Sequence, residues 1–207
     1  IGDRAFHRQP EAVIALAQAL GEGLHQAGMG ICGKHYPGHG YVIPDSHVEL
    51  PVDGRDLADM QDDVAPYRQL PLDGVMAAHV IYECVDCNTA VFSNKWIGYL
   101  RNDIKFNGVV FTDDLSMAGA GVVGGMLNRV ETAYNAGCDM LLVCNAPDVV
   151  SDVLDHWTPE VDPTRGKRVE ALIPKLPAMS WDGLQTDVAY QDARNTIAGL
   201  IAYFGPS

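Results

Sequence analysis

The segment from Gly108 to Cys144 reads GVVFTDDLSMAGAGVVGGMLNRVETAYNAGCDMLLVC, and it contains two apolar runs separated by a stretch with helical periodicity. The runs Gly108–Thr112 and Asp139–Cys144 are almost continuously apolar, which is typical of strands covered on both faces of a parallel sheet. The stretch Gly125–Ala136 between them has the length and pattern of a helix. Because parallel strands need a crossover connection, this segment predicts one βαβ unit.

The same alternation continues toward the N-terminus. The predicted strands there are Gly30–Lys34 and Gly74–Val80, and the predicted helices are Glu11–Ala27, Arg55–Gln69 and Asn94–Asp103, the last with Ser93 as its N-cap. After Asp148 the sequence predicts two short helices and a final amphipathic segment from about Gly183 to Phe204. We therefore expect an α/β fold with a parallel sheet, either a barrel or a doubly wound sheet, in a single domain spanning residues 1–207.

The composition limits the classes of ligand. The chain is 47% hydrophobic and 20% charged, which is ordinary for a globular protein, and its formal net charge is −13 at pH 7. This charge argues against a nucleic-acid partner or an anionic membrane surface, because both need clustered Lys and Arg. A neutral or cationic small ligand fits better. The sequence contains no run of about twenty apolar residues and no signal-peptide pattern, so it predicts neither a membrane span nor secretion.

The cysteines favour a reducing compartment. There are five of them, an odd number, and three lie in or beside apolar runs where a reduced cysteine behaves as a small hydrophobic residue. We therefore expect a cytoplasmic protein. Cys84 and Cys87 form a C-x-x-C motif, but no second pair follows at the spacing of a zinc finger, so a structural zinc site is not predicted.

Polar side chains lie at the ends of the predicted strands. They are Lys34 and His35, His79, Asp113, and Asn145. In parallel α/β folds the ligand binds where strands end at their carboxyl side, so these residues mark one face as a site. Successive side chains of a strand point to opposite faces, so only one of Asp113 and Asp114 can face the ligand. We assign that role to Asp113 and expect Asp114 or Ser116 to cap the following turn.

The stretch Lys34–His47 reads KHYPGHGYVIPDSH, and its proline and glycine residues exclude a continuous helix. A loop of this kind can close over a substrate and carry catalytic side chains with it. Within it, Asp45 lies two residues before His47, near enough to hold one ring nitrogen. A carboxylate partner fixes the tautomer and favours the protonated ring, as a proton donor near neutral pH requires. On spacing alone, a solvated loop histidine beside an unrelated carboxylate remains the alternative.

Taken together, these motifs resemble one known family. The segments are IGDRAFH (1–7), GKHYPGHG (33–40), DSH (45–47), AHVIY (78–82), FTDDLSMAGA (111–120) and AGCDMLLVCN (136–145). In this order they resemble the bacterial β-N-acetylglucosaminidases of glycoside hydrolase family 3, the cytoplasmic enzymes of cell-wall recycling. The similarity runs from Ile1 to about Val150 and weakens in the C-terminal quarter.

The resemblance implies a (β/α)8 TIM barrel that removes terminal β-linked N-acetylglucosamine from peptidoglycan-derived muropeptides with retention, without a cofactor or metal. It implies Asp113 as the nucleophile and His47 as the general acid/base, held by Asp45. A histidine in this role departs from the usual pair of carboxylates in retaining glycosidases.

The resemblance also implies residues that contact the sugar. Arg4, Lys34 and His35 match positions that bind its hydroxyl groups, and a strand-end position for Lys34 suggests that this lysine is buried. His79 and Met117 are further candidates for substrate contact, with packing as the alternative for Met117. His39, in the PGHG turn, is interpreted as a structural residue.

Ile1 aligns well inside the family's barrel, so about half to two-thirds of the barrel is expected here. The first strands would be missing, and with them an Asp that grips the sugar's hydroxyl groups. Half a barrel leaves open sheet edges and an uncovered core. Either the chain is a fragment or a companion chain supplies the other strands, and the chain alone could lack activity.

Two other function classes are open at this point. A metal-dependent barrel hydrolase would use His35, His39, His79 and an Asp as ligands and would be inhibited by chelators. An inactive sugar-binding fragment would bind N-acetylglucosamine without turnover. A variant of the glycosidase would transfer the sugar to phosphate, and an assay with and without phosphate separates the two reactions.

Overall fold

The computed structural model describes residues 1–44, 46, 49–174 and 177–205. The chain forms two compact units, Ile1–Pro174 and Lys175–Ser207. The strands described below all belong to the first unit, and two helices form the described part of the second. No helix in the described part of the chain is both long enough and apolar enough to span a bilayer.

Within the described residues, five strands form two parallel sheets. They are β1 (Cys32–Tyr36), β2 (Val52–Asp53), β3 (Gly74–Ala77), β4 (Ile81–Tyr82) and β5 (Val109–Thr112). The larger sheet has the order β1-β3-β5, and β2 pairs with β4. Along the chain, successive strands of the larger sheet lie side by side, with β2 and β4 belonging to the other sheet. This order is that of a barrel wall, whereas a doubly wound sheet reverses its order at a switch point. The sheet is open: the described residues do not close a barrel.

The part of the chain that the structure describes contains eight α-helices and three short 3-10 helices. The α-helices are α1 (Pro10–Gln26), α2 (Gln61–Gln69), α3 (Asn94–Asn102), α4 (Met126–Ala136), α5 (Pro147–His156), α6 (Pro163–Glu170), α7 (Trp181–Thr186) and α8 (Val188–Phe204). The 3-10 helices are Gly2–Arg4, Ala90–Phe92 and Ala118–Val123. The predictions for α1, α3 and α4 are confirmed to within about a residue. The Ser93 hydroxyl accepts a hydrogen bond from the Trp96 N–H and caps α3, and Gly137 ends α4 in the left-handed conformation.

Two helix predictions were wrong at a boundary. The helix expected from Arg55 begins at Gln61, because the Asp53 carboxylate accepts the Arg55 backbone N–H at 3.0 Å and holds that residue in a turn. The final amphipathic segment is two helices rather than one. The Asp187 carboxylate accepts the Tyr190 N–H at 2.8 Å, so it caps a new helix where the prediction had a continuous one.

The fourth predicted strand, Asp139–Cys144, is not a regular strand. It runs beside β5 through a single parallel bridge between Phe111 and Met140. Beyond that bridge, the Leu142 N–H donates to the Thr112 side-chain oxygen at 2.8 Å instead of to a backbone carbonyl. The side chain of Thr112 therefore replaces a ladder hydrogen bond, and the regular pairing ends although the segment still lies beside β5.

The hydrophobic core lies between the larger sheet and the helices that follow its strands. Trp96 of α3 is fully buried at its centre, with the rings of Tyr82 and Tyr36 at 5.4 and 6.0 Å in edge-to-face arrangements. The Tyr36 hydroxyl donates to the Trp96 carbonyl at 3.1 Å, so this buried polar group is satisfied. The core anchors β1 and β3, whose carboxyl ends lead to the site described next.

A buried carboxylate joins three elements of this unit. The Asp139 side chain is fully buried and accepts the Val110 N–H of β5 at 2.8 Å. It also accepts hydrogen bonds from Arg101 of α3 at 2.7 Å and from Arg168 of α6 at 2.6 Å. Because a buried charge is stable only when it is paired and hydrogen-bonded, this cluster holds α3 and α6 against the sheet.

Candidate active site

A cavity of about 350 Å³ opens beyond the carboxyl ends of β1 and β5. Its lining includes Arg4, Lys34, His35, His39, Ser46 and Asp113, together with Ile1, Ile43 and Pro44. Four of the predicted site residues, Arg4, Lys34, His35 and Asp113, therefore meet at one cavity although 109 positions separate the first from the last. The parallel strands bring them together, because their carboxyl ends share one edge of the sheet.

Asp113 follows β5 directly and lies beside His35. Its Oδ2 is 3.4 Å from Nε2 of His35, and the two side chains are 17% and 10% exposed. Burial lowers the pKa of His35 to about 4, although the Asp113 carboxylate opposes this shift. The imidazole is therefore uncharged near pH 7 and does not form a charged pair with the Asp113 carboxylate. An anionic carboxylate at a cavity wall is suited to attack an electrophilic carbon.

Asp113 and Asp114 have different partners, as the alternation of side chains along a strand predicts. The Asp114 carboxylate accepts hydrogen bonds from the Ser116 N–H, the Ser116 hydroxyl and the Cys144 N–H at 2.9, 2.6 and 3.0 Å. Burial raises the pKa of Asp114, but these hydrogen bonds outweigh burial and lower it overall. Asp114 is thus committed to the turn after β5, while Asp113 faces the cavity.

The two cations of the cavity come from different elements. Lys34 lies within β1, and Arg4 ends the 3-10 helix Gly2–Arg4. The expectation that Lys34 is buried was wrong: this residue is exposed, because β1 lies at the edge of the larger sheet. Together the two side chains place positive charge beside Asp113 and supply donors that hydroxyl groups can use.

The loop between β1 and β2, residues 37–51, contributes His39, Ile43, Pro44 and Ser46 to the lining of the cavity. Asp45 and His47 of this β1–β2 loop lie outside the described residues. Ser46, between them, is 4% exposed, and its backbone carbonyl accepts the Gly119 N–H at 3.2 Å. The Ser46 hydroxyl is 3.3 Å from Nε2 of His39. The loop therefore contacts the segment that follows Asp113 at a residue next to the predicted acid/base.

The sequence profile of the Glycosyl hydrolase family 3 N terminal domain matches residues 1–165. The chain belongs to glycoside hydrolase family 3. A beta-hexosaminidase of Aromatoleum aromaticum is 50% identical over 206 residues, which cover 97% of this chain and 58% of that protein. The chain thus spans less than two thirds of the length of this relative.

Solved structures support the same family membership. The crystal structure of NagZ from Neisseria gonorrhoeae in complex with N-trifluoroacetyl-D-glucosamine superposes with a TM-score of 0.87 at 43% identity, covering 97% of this chain and 59% of that chain. A structure of NagZ from the same organism in complex with a zinc ion gives a TM-score of 0.86 at 41% identity, covering 97% and 58%. The resemblance to family 3 glycosidases in the sequence motifs is therefore confirmed by sequence and by fold.

Two of the predicted substrate contacts lie elsewhere in this family 3 fold. His79 is fully buried, and its Nε2–H donates to the Asp114 carbonyl at 3.0 Å. Burial lowers the pKa of His79, so the ring is neutral. Met117 is 7% exposed and begins the 3-10 helix Ala118–Val123. Neither lies among the residues that line the cavity, so their contact with substrate stays a prediction that the geometry does not support.

The ligand set of the metal-dependent alternative is not assembled in the described part of the chain, where no group of three or more His, Cys, Asp or Glu side chains is placed to hold an ion. Of its members, His35 and His39 are neighbours with ring centroids 5.6 Å apart, but His79 is committed to the Asp114 carbonyl. Asn145, the fourth polar strand end, is exposed in a left-handed turn and does not line the cavity.

Sequence reasoning missed the contact between Ser46 of the β1–β2 loop and Gly119. Ser46 was read only as the residue between Asp45 and His47, and Gly119 only as part of the FTDDLSMAGA motif. The signal available was the small size of the residues at 118–121, AGAG, which is typical of a close approach between two backbone segments. Nothing in the sequence indicates which segment approaches.

Proposed function

We propose that the protein hydrolyses terminal β-linked N-acetylglucosamine from peptidoglycan-derived muropeptides with retention of configuration. The observation that carries this proposal is Asp113, an anionic carboxylate at the end of β5 that faces a cavity beside the neutral His35. Its family 3 relatives include beta-hexosaminidases, and the NagZ complex with N-trifluoroacetyl-D-glucosamine indicates the kind of sugar that such a cavity accepts.

In the proposed reaction, an Asp113 oxygen attacks the anomeric carbon while His47 donates a proton to the departing glycosidic oxygen. The resulting glycosyl-enzyme ester is then hydrolysed by a water molecule that His47 deprotonates, and Asp113 is released as a carboxylate. Asp45 holds the His47 ring in the tautomer that both steps need. Arg4, Lys34 and His35 bind the sugar's hydroxyl groups and orient the anomeric carbon toward Asp113.

We further propose that the larger sheet is part of a (β/α)8 TIM barrel, and that residues 1–207 belong to one partial catalytic domain of it. The parallel order β1-β3-β5, in which the strands of this sheet pair in the order in which they follow one another along the chain, supports this proposal. So does the coverage of 58% of the beta-hexosaminidase of Aromatoleum aromaticum. The other strands would come from sequence outside residues 1–207 or from a companion chain.

Trapping the covalent intermediate tests the assignment of Asp113. A 2-fluoro-sugar with a dinitrophenyl leaving group forms the glycosyl-enzyme ester, but the fluorine slows its hydrolysis because it destabilises the electron-poor transition state. We expect mass spectrometry of a protease digest to find the sugar on the peptide that contains Asp113. The Asp113→Asn variant serves as the control and should stay unlabelled.

A label on another residue would overturn the assignment of Asp113. A wild-type chain that binds N-acetylglucosamine but is never labelled would support the inactive sugar-binding alternative. Inhibition by a chelator, together with metal found by elemental analysis, would favour the metal-dependent alternative, since the proposed reaction needs no ion.

Replacing His47 with Ala tests the proton donor. For a substrate with a poor leaving group, such as an N-acetylglucosaminyl disaccharide, we expect kcat/KM to fall by about 10²- to 10⁴-fold. For a dinitrophenyl glycoside the fall should be much smaller, because this leaving group departs without a proton. His156→Ala is the matched control, since His156 is exposed on α5 and pairs with Asp152 one turn earlier in the same helix. Equal losses for the two substrates would contradict the role of His47.

A further inference from the structure

Ser46 lines the cavity and immediately precedes His47 in the sequence. We propose that Gly119 and His39 are positioning residues, which hold Ser46, the residue before His47, and thereby support the proton transfer proposed for His47. This inference rests on the function proposed above, because it takes His47 as the proton donor. It gives a role to His39, which the sequence analysis interpreted as structural, and to Gly119, which carries no chemistry of its own.

Ser46 is buried although parts of its own loop are open to solvent. Tyr41 and Ile43 are 59% and 97% exposed, whereas Ser46 is 4% exposed. Two groups hold it from different sides, the Gly119 N–H on the carbonyl at 3.2 Å and the His39 ring on the hydroxyl at 3.3 Å. Because Ser46 is buried and hydrogen-bonded while Tyr41 and Ile43 are exposed, we infer that the loop is anchored at this residue.

The anchor on the Gly119 side is too tight for a side chain to enter unless a neighbouring group shifts. A Cβ at this position would lie 3.2 Å from the Ser46 carbonyl oxygen and 3.0 Å from the Cβ of His79. His79 cannot move away easily, because it is fully buried and its ring is bonded to the Asp114 carbonyl. Ser46 is therefore the element that an added methyl group would displace. The backbone of Gly119 is not in the left-handed region, so Ala would act through this contact rather than through backbone strain.

His39, which contacts the Ser46 hydroxyl, is also connected through His35 to Asp113, the proposed nucleophile. His39 lies edge-on to His35 with ring centroids 5.6 Å apart, and His35 is 3.4 Å from Asp113. Asp113, His35, His39 and Ser46 thus form a continuous row along the cavity wall. Because a shift of about 1 Å in a reacting group can cost 10²-fold in rate, contacts that hold the residue before His47 bear on the proposed proton transfer.

The base of the β1–β2 loop is held by separate contacts. Arg55 binds the buried Asp53 carboxylate at 2.7 Å and Asp63 of α2 at 2.8 Å, and its guanidinium stacks over the Tyr41 ring at 4.1 Å. The loop therefore stays attached at its base when Ser46 is released, and the effect of a substitution at Gly119 should be local.

A pair of glycine variants tests the proposal. Gly119 and Gly121 lie in the same 3-10 helix, but a Cβ on Gly121 would meet only an Arg129 nitrogen at 3.6 Å, an ordinary contact. We expect Gly119→Ala to lower kcat for the disaccharide about 10-fold and to change kcat for a dinitrophenyl glycoside less than about 2-fold. Gly121→Ala should match the wild type on both substrates. A loss that is equal for the two substrates, or equal for the two variants, would overturn the proposal.

Limited proteolysis gives a second readout that needs no turnover. We expect proteinase K to cleave within residues 39–50 several-fold faster in Gly119→Ala and in Ser46→Ala than in the wild type or Gly121→Ala, because the anchor is lost while the base stays fixed. Cleavage at an unchanged rate in both Gly119→Ala and Ser46→Ala would overturn the proposal. A wild-type chain without turnover and without a trapped sugar would instead contradict the proposed function, and proteolysis would still decide whether the anchor exists.

Discussion

Asp113→Asn is expected to lower kcat for a dinitrophenyl N-acetylglucosaminide by on the order of 10⁴-fold. The side chain keeps its size, and its oxygen can still accept the Asp114 N–H that Asp113 Oδ1 accepts at 2.8 Å. The local fold should therefore survive while the attacking carboxylate is lost. Steady-state kinetics measures the loss, and the melting temperature verifies that the variant is folded.

A smaller variant distinguishes a nucleophile from a residue that merely binds substrate. In Asp113→Ala, added azide can enter the space left by the carboxylate and attack the same face of the sugar. We expect azide to restore turnover of the dinitrophenyl glycoside and to give the α-glycosyl azide as product. Asp114→Asn serves as the control: its effect should appear mainly as a lower melting temperature, because Asp114 binds Ser116 and Cys144 rather than the cavity. Activity of Asp113→Asn within tenfold of the wild type would contradict the assignment.

Asp139→Ala is expected to destabilise the first unit by about 3–5 kcal/mol, the usual cost of breaking a buried ion pair. The fully buried Asp139 carboxylate faces two guanidinium groups, Arg101 and Arg168, which are 19% and 20% exposed. Burial lowers the pKa of Arg101 and Asp139 raises it, so removal of the carboxylate leaves two like charges with little access to water. Chemical denaturation, followed as the free energy of unfolding, measures the change.

The control for this stability prediction is Asp152→Ala. Asp152 also forms an ion pair, with His156 at 3.1 Å, but its side chain is 59% exposed. Exposed pairs contribute about 0–1 kcal/mol, so this variant should unfold close to the wild type. If Asp139→Ala also lost less than about 1 kcal/mol, the buried cluster would not hold α3 and α6 on the sheet as described.

Much of the secondary structure could be predicted because its causes are local. The positions of α3 and α4 follow from their apolar periodicity. Ser93 marks the start of α3 and Gly137 marks the end of α4, and both residues act on their own backbone neighbours. The predicted boundaries failed where a side chain replaced a backbone partner, as Thr112 does for Leu142 and Asp53 for Arg55. The periodicity of a segment does not indicate which side chain will accept a hydrogen bond from one of its backbone N–H groups.

The sequence by itself determined that the chain is an α/β protein with parallel strands and that Asp113 rather than Asp114 faces the cavity, because side-chain alternation and strand ends are properties of the local chain. Only the tertiary structure decided that Arg4, Lys34, His35 and Asp113 share one cavity, that His79 is buried and does not line it, and that Ser46 meets Gly119. These contacts join residues far apart along the chain. They depend on how the strands pair and how the loops pack, and no local pattern of residues encodes that geometry.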